Sequence, residues 1–265
     1  MKRINPWNLV LIENQFISSK SQTFTFLVLW LCACALAFRC LGDLPLRDFD
    51  EATVARVAFE LSQKTGQDQI LPTLWGDVYL NKPPGLHWLI AVAINFSNHF
   101  NLDSTSLPSE FVVRAVPAFL STLVVPLGGL IQISLRPKDP ISSFATSGIL
   151  LTTLPLVRHG RLAMLDGTIL TCVASLWLLL LFIERGYRPR LNTIFLGLIC
   201  SFLLLLKAPF LLPAILAGLI PIVWQNQIDF SCLRSLYKYF LVGLLPGLLW
   251  HAWHFFNRGY SAFWL

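Results

Sequence analysis

The stretch PGLHWLIAVAINFS runs from Pro84 to Ser97, and its reading decides how often the chain crosses a membrane. It is apolar, yet shorter than the roughly 20 residues a helix needs to span a hydrocarbon core. The chain around it is a membrane protein by composition. Of 265 residues, 55% are hydrophobic and 13% charged, and the mean hydropathy is +0.64. Longer apolar runs predict spans at 22–42, 111–135, 141–157, 167–184, 191–206, 209–224 and 239–256. The 16 prolines and 15 glycines suit broken, closely packed membrane helices.

Basic residues decide the question for 84–97. Lys2, Arg3 and Lys20 precede the first span, and Arg136/Lys138, Arg185/Arg188/Arg190 and Arg234/Lys238 form three later clusters. Loops rich in Lys and Arg stay in the cytoplasm. If all four clusters do so, an even number of crossings separates Lys20 from Arg136, and spans 22–42 and 111–135 supply it. Segment 84–97 therefore does not cross. Residues 43–110 become one outer loop with two surface helices, at about 49–64 and 84–97, each burying an apolar face. Seven crossings put the N-terminus inside. The run before Ala35-Leu36-Ala37 reads as an uncleaved anchor rather than a signal peptide.

The net charge of +6 does not indicate nucleic acid, because the basic residues are scattered over short loops without interleaved aromatics. Of the cysteines, Cys32, Cys34, Cys40, Cys172 and Cys200 lie in apolar runs and Cys232 in a short polar loop. None falls within 43–110 and no CxxC occurs, so neither a disulfide framework there nor a zinc ribbon is expected.

Among the charges on the outer side, the candidates are Asp48, Asp50 and Glu51, then Lys82, Arg114, the turn RHGRLAMLD (Arg158–Asp166) and Lys207. Ionisable groups near membrane depth are costly, which makes them candidates for function. In RDFDEATVARVAFEL (Arg47–Leu61), Asp48 and Glu51 fit a capping box, as N-cap and N3. Asp50 then shares a helix face with Val54, Val57 and Leu61. Capping does not need Asp50, so it is the first candidate for chemistry and Glu51 the second. A cation such as Lys82 or Arg161 is expected beside it. The prolines of NKPPG fix Lys82 at a helix start. Arg158, Arg161 and Lys207 complete a cationic pocket for an anionic headgroup. His251 and His254 read as part of an aromatic belt with Trp250, Trp253 and Trp264 rather than as metal ligands.

Several motifs occur in a telling order: Asp50-Glu51, LPTLWGDVYLNKPPGLHWL (Leu71–Leu89), RAVPA (Arg114–Ala118), RLAMLDG (Arg161–Gly167) and LLLLKAP (Leu203–Pro209). Together they resemble the GT-C membrane glycosyltransferases, specifically the bacterial branch of aminoarabinose transferases and protein-mannosyltransferase-related enzymes. The resemblance covers nearly the whole chain. It implies an all-α GT-C module of seven spans with two surface helices in the first outer loop. It also implies transfer of a sugar from a polyprenyl-phosphate donor to a lipid, glycan or protein hydroxyl outside a bacterial inner membrane.

By motif matching, Asp50 takes the place of the essential loop carboxylate and Asp166 that of the acid in the second outer loop. Lys82 matches the lysine of the family's KP motif, and Lys207 the lysine after the fifth span that contacts donor phosphate; Lys82, Arg158 and Arg161 are read as phosphate contacts beside it. Many relatives carry Glu where this chain has Asn81, and in some that Glu binds metal. No metal ligands are therefore assigned, although a divalent ion stays open as a cofactor. Relatives also continue beyond a seventh span, so the family's C-terminal portion is expected to be absent from these residues. Two other readings stand beside this one. The first is a non-catalytic relative acting in binding or assembly. The second is a small-solute transporter, against which the outer position of the charges and the lack of a repeat argue.

Overall fold

The computed structural model describes residues 20–47, 49–79, 81–100, 107–224 and 230–258, the side chains of 221–233, 257 and 258 excepted. The readings of Asp48 as an N-cap, of Lys2 and Arg3, of the Cys232 side chain and of Trp264 lie outside the described residues.

The described chain is helical apart from one hairpin. After α1 (Lys20–Phe38), the long loop holds α2 (Asp50–Gln63), a 3-10 turn (Gly66–Ile70), strands β1 (Thr73–Leu74) and β2 (Asp77–Val78), and α3 (Gly85–Phe100). Next come α4 (Glu110–Thr122), α5 (Val124–Leu135), α6 (Pro140–Thr152), α7 (Leu154–His159) and α8 (Leu165–Glu184). The described chain closes with α9 (Pro189–Lys207), α10 (Leu211–Trp224) and α11 (Phe230–Arg258). Four stretches are long and apolar enough to cross a membrane: Lys20–Phe38, Glu110–Leu135, Leu165–Glu184 and Pro189–Ile220. Their outward faces carry exposed Phe24, Leu27, Leu31, Leu170 and Leu212. Such side chains suit lipid, not water. The chain has the architecture of an all-α membrane protein.

Proline explains where helices depart from the expected spans. α4 and α5 meet at Leu123 because Pro126 lacks an N–H and crowds the carbonyl one turn back. The expected span 141–157 divides at Thr153 (φ −66°, ψ 110°), ahead of Pro155. The fourth apolar stretch, Pro189–Ile220, is not one straight rod. Lys207 leaves helical geometry (φ −163°, ψ 88°), and α10 then lies along α8, where Trp177 Nε1 donates to the Ala214 carbonyl at 3.1 Å. Further along, Gly218 packs against Trp177 and Leu180. α10 thus runs parallel to α8 and back along the direction of α9.

α9 and α11 are parallel and unusually close. Gly197 faces Phe240 and Gly243, Ser201 accepts from the Gly247 amide at 2.6 Å, and Leu204 lies at His251. A Cβ on Gly243 would collide with the Ile194 carbonyl. Small residues permit this approach, as in other membrane helix pairs. One core cluster joins the loop to the bundle: Val54, Ala58, Leu86, Ala163, Leu203 and Leu206 are all buried in it.

Candidate active site

The loop attaches to the bundle through a buried ion pair. Glu51 is fully buried and Arg114, on the first turns of α4, nearly so. Arg114 Nε donates to Glu51 Oε1 at 2.9 Å and Nη2 to Oε2 at 2.8 Å. Its Nη1 reaches the carbonyls of Leu41 (3.1 Å) and Leu44 (2.7 Å), and Nη2 also reaches that of Pro45 (2.9 Å). All five donors of a guanidinium are thereby used. Glu51 receives two further bonds, from the Ala163 amide to Oε1 (2.8 Å) and the Arg47 amide to Oε2 (3.0 Å). Burial alone would raise the Glu51 carboxyl. The bonds from Arg114, Ala163 and Arg47 outweigh it and hold the group below the ordinary value of 4.5.

This arrangement departs from the expected helix start. α2 starts at Asp50, its cap position is Phe49 (φ 69°), and Phe49 makes no side-chain cap. Glu51, not Asp50, continues the buried stripe of Val54, Ala55, Val57, Ala58 and Leu61. Its acceptor sites are filled by protein donors, so Glu51 positions the loop and has no lone pair open to a substrate in this arrangement. Asp50 is exposed at the first turn of α2 and Asp166 at the first turn of α8. The expectation that Asp50 lies along the apolar stripe beside Lys82 or Arg161 is not met. Asp50 forms no ion pair among the described residues, and Arg161 instead donates from Nη2 to the Arg39 carbonyl. The Glu51–Ala163 bond nevertheless sets the starts of α2 and α8 side by side, with Asp50 one residue from one partner and Asp166 three from the other.

A second junction gathers the lysines. A Cβ on Gly85 would stand 2.7 Å from the Leu205 carbonyl, so α3 begins in backbone contact with the end of α9. Lys82 and Lys207 flank that contact; Lys82 is half-buried and Lys207 exposed, with its ammonium 4.9 Å from the Phe210 ring centroid. Arg158 is exposed and Arg161 half-buried. Both junctions rest on the core cluster of Val54, Leu86, Ala163 and Leu206. No family model matches the chain, and no curated protein and no solved structure matches it.

Beside Lys82 lie two side chains that sequence reasoning missed. His87 is fully buried on α3, and its ring meets that of Tyr79 edge-on at 5.8 Å. Neither ring nitrogen of His87, nor the Tyr79 hydroxyl, has a hydrogen-bond partner among the described residues. Desolvation first, and then the charge of Lys82, lower His87 to about 4; the Pro83 carbonyl opposes this weakly without reaching hydrogen-bonding geometry. A histidine inside an apolar run was the only available signal for this site.

Glu60 organises the hairpin, also unforeseen. It accepts from Arg56 Nε (2.8 Å), Thr73 Oγ1 (2.7 Å) and the amides of Trp75 (2.7 Å) and Gly76 (3.2 Å). Pairing of Thr73 with Val78 and Leu74 with Asp77 leaves a two-residue turn, Trp75-Gly76. Both residues have positive φ, 58° and 87°, as a type I′ turn requires, and that turn favours Asn-Gly. A left-handed conformation costs a non-glycine residue roughly 1–2 kcal/mol. The Arg56 guanidinium, 4.2 Å from the Trp75 ring centroid, returns about 0.5–1 kcal/mol.

Behind the hairpin, Leu74 and Trp88 pack on a small cluster of Val57, Leu61, Tyr79 and Ala91. A cavity of about 300 Å³ opens nearby, lined by Leu61, Gln69, Trp88, Ala91 and Asn95 among others. It is not lined by Asp50, Asp166, Lys82 or Lys207. Trp250 Nε1 donates to the Ile70 carbonyl (3.0 Å), which ties α11 to the loop. His254 stacks on Trp250 at 5.4 Å and His251 Nε2 meets the Leu204 carbonyl at 3.2 Å. Among the described residues no three His, Cys, Asp or Glu side chains gather as metal ligands would.

Proposed function

We propose that this chain transfers a sugar from a polyprenyl-phosphate donor to an acceptor hydroxyl at the outer face of a bacterial inner membrane. It would act as a GT-C-type module of seven crossings with its N-terminus in the cytoplasm. One observation carries the reading: acids and lysines from distant segments gather at two junctions over one core, at one end of the bundle. The Glu51–Ala163 bond carries Asp50 and Asp166; the Gly85–Leu205 contact carries Lys82 and Lys207. The opposite helix ends carry Lys20, Arg136, Lys138, Arg185, Arg188 and Arg190, as cytoplasmic ends should.

In the proposed step, the acceptor oxygen bonds to the anomeric carbon while the bond from that carbon to the phosphate oxygen breaks. The acceptor proton passes to the Asp50 carboxylate, and polyprenyl phosphate leaves. Lys82 and Lys207, with Arg158 and Arg161 at the rim, stabilise the charge that the departing phosphate gains. Asp166 is the second acid of the site. Glu51 and Arg114 act through position only.

Transfer from a radiolabelled polyprenyl-phosphate sugar into membrane acceptors tests the reading. Asp50→Asn is expected to lower transfer by about 100-fold, the contribution of a positioned general base. Lys82→Ala should lower it as well. Unimpaired transfer by both variants rejects this assignment of the site.

A further inference from the structure

We propose that Trp75 is a stacking platform for a saccharide, on the acceptor side of the reaction. A bulky aromatic residue occupies the first position of a type I′ turn, where its backbone is strained. The side chain gains little burial there, because 74% of its surface stays exposed. The surroundings nevertheless fix it firmly: Glu60 holds the Trp75 and Gly76 amides and the Thr73 hydroxyl. Arg56 pairs with the same carboxylate and covers the ring. One ring face is backed by the guanidinium and the rest of the indole is presented to solvent.

The position of the ring selects its partner. α2 buries Val54, Val57, Ala58 and Leu61 toward the bundle and turns Arg56 and Glu60 to the other side. Glu60 ties the hairpin to that polar side, while Leu74 packs behind it on Val57 and Leu61. Its neighbours Gly76, Asp77 and Val78 are exposed, as are Gln67, Asp68 and Gln69 of the preceding turn, so Val78 is the one apolar side chain among them. A protein interface would need a contiguous apolar patch at this place. One rigid aromatic face in a mostly polar rim fits a pyranose ring, which offers C–H groups on one face and hydroxyls around its edge. The glycan then becomes the preferred class among lipid, glycan and protein acceptors; this rests on the proposed transfer reaction, but saccharide binding at Trp75 does not.

The test uses the full chain in nanodiscs, without donor, on an array of envelope oligosaccharides. Trp75→Gly relieves the backbone strain and keeps the hairpin, while Trp75→Phe keeps an aromatic face. At least one saccharide class should be retained by the wild type and by Trp75→Phe. Its signal should fall about ten-fold in Trp75→Gly, as for loss of an interface tryptophan. No array signal sensitive to Trp75→Gly overturns the proposal. So does quenching by brominated lipids that is present in the wild type and lost in Trp75→Phe, since it would make Trp75 a membrane anchor. A positive array result with no sugar transfer leaves the platform standing and rejects the reaction.

Discussion

Glu51 and Arg114 show how a charged pair persists at the edge of a membrane protein. Each removes the other's unmet hydrogen bonds, and backbone groups of Leu41, Leu44, Pro45, Arg47 and Ala163 complete the set. Removing one partner strands a buried charge, which costs about 3–5 kcal/mol. Arg114→Ala should therefore lower the thermal midpoint sharply in detergent, whereas Asp50→Asn, at an exposed position, should leave it unchanged. Acid should act at two residues in turn. His87 has a folded value near 4 against an ordinary 6.5, so the folded state binds fewer protons between those limits. Stability is full above pH 6.5 and falls by up to ~3 kcal/mol as the pH drops to 4. Glu51, held below 4.5, contributes stability above that value and loses it as the pH falls through its lower folded value. Amide exchange across Tyr79–Ala91 should accelerate from pH 6.5 downward, and His87→Phe should flatten that first phase.

Helices and loops carry the next level of the account. α9 and α11 touch backbone to backbone, so Gly243→Leu has nowhere to place its side chain. It should separate the pair, and overpacking of this kind costs about 1–3 kcal/mol or more. Loss of His251 and Trp250 contacts to the Leu204 and Ile70 carbonyls would follow, visible as increased proteolysis of the long loop between α1 and α4. Gly85 sits at the other close contact. An amine-reactive crosslinker should join Lys82 to Lys207 in the native chain and do so less after Gly85→Val. Much of this level was legible beforehand. Apolar run lengths located α1, α4–α5, α8 and α9, and the shortness of 84–97 located α3. The breaks at Leu123 and Thr153 follow from Pro126 and Pro155, but apolar length alone does not see them. The hairpin was illegible, because its key residue, Glu60, lies on α2, 13 or more positions from Thr73, Trp75 and Gly76.

At the scale of the molecule, the junctions that carry Asp50, Asp166, Lys82 and Lys207 lie at one end of the helices, and Lys20, Arg136, Lys138, Arg185, Arg188 and Arg190 lie at the other. Charge parity along the chain predicts that the first end faces outward. Which acid turns inward was not decidable from spacing. Asp50 and Glu51 both fit an amphipathic stripe, and only the position of Arg114, 63 residues beyond Glu51, selects Glu51 for burial and leaves Asp50 free. The most direct test places single cysteines at 50, 82, 166 and 207 in a chain whose native cysteines are replaced, and labels intact cells with a membrane-impermeant maleimide. Labelling of all four positions, with cysteines at 137 and 187 protected until the membrane is opened, is the predicted result. Protection of position 50 together with labelling of 187, or labelling of 50 and 207 from opposite sides, contradicts the account.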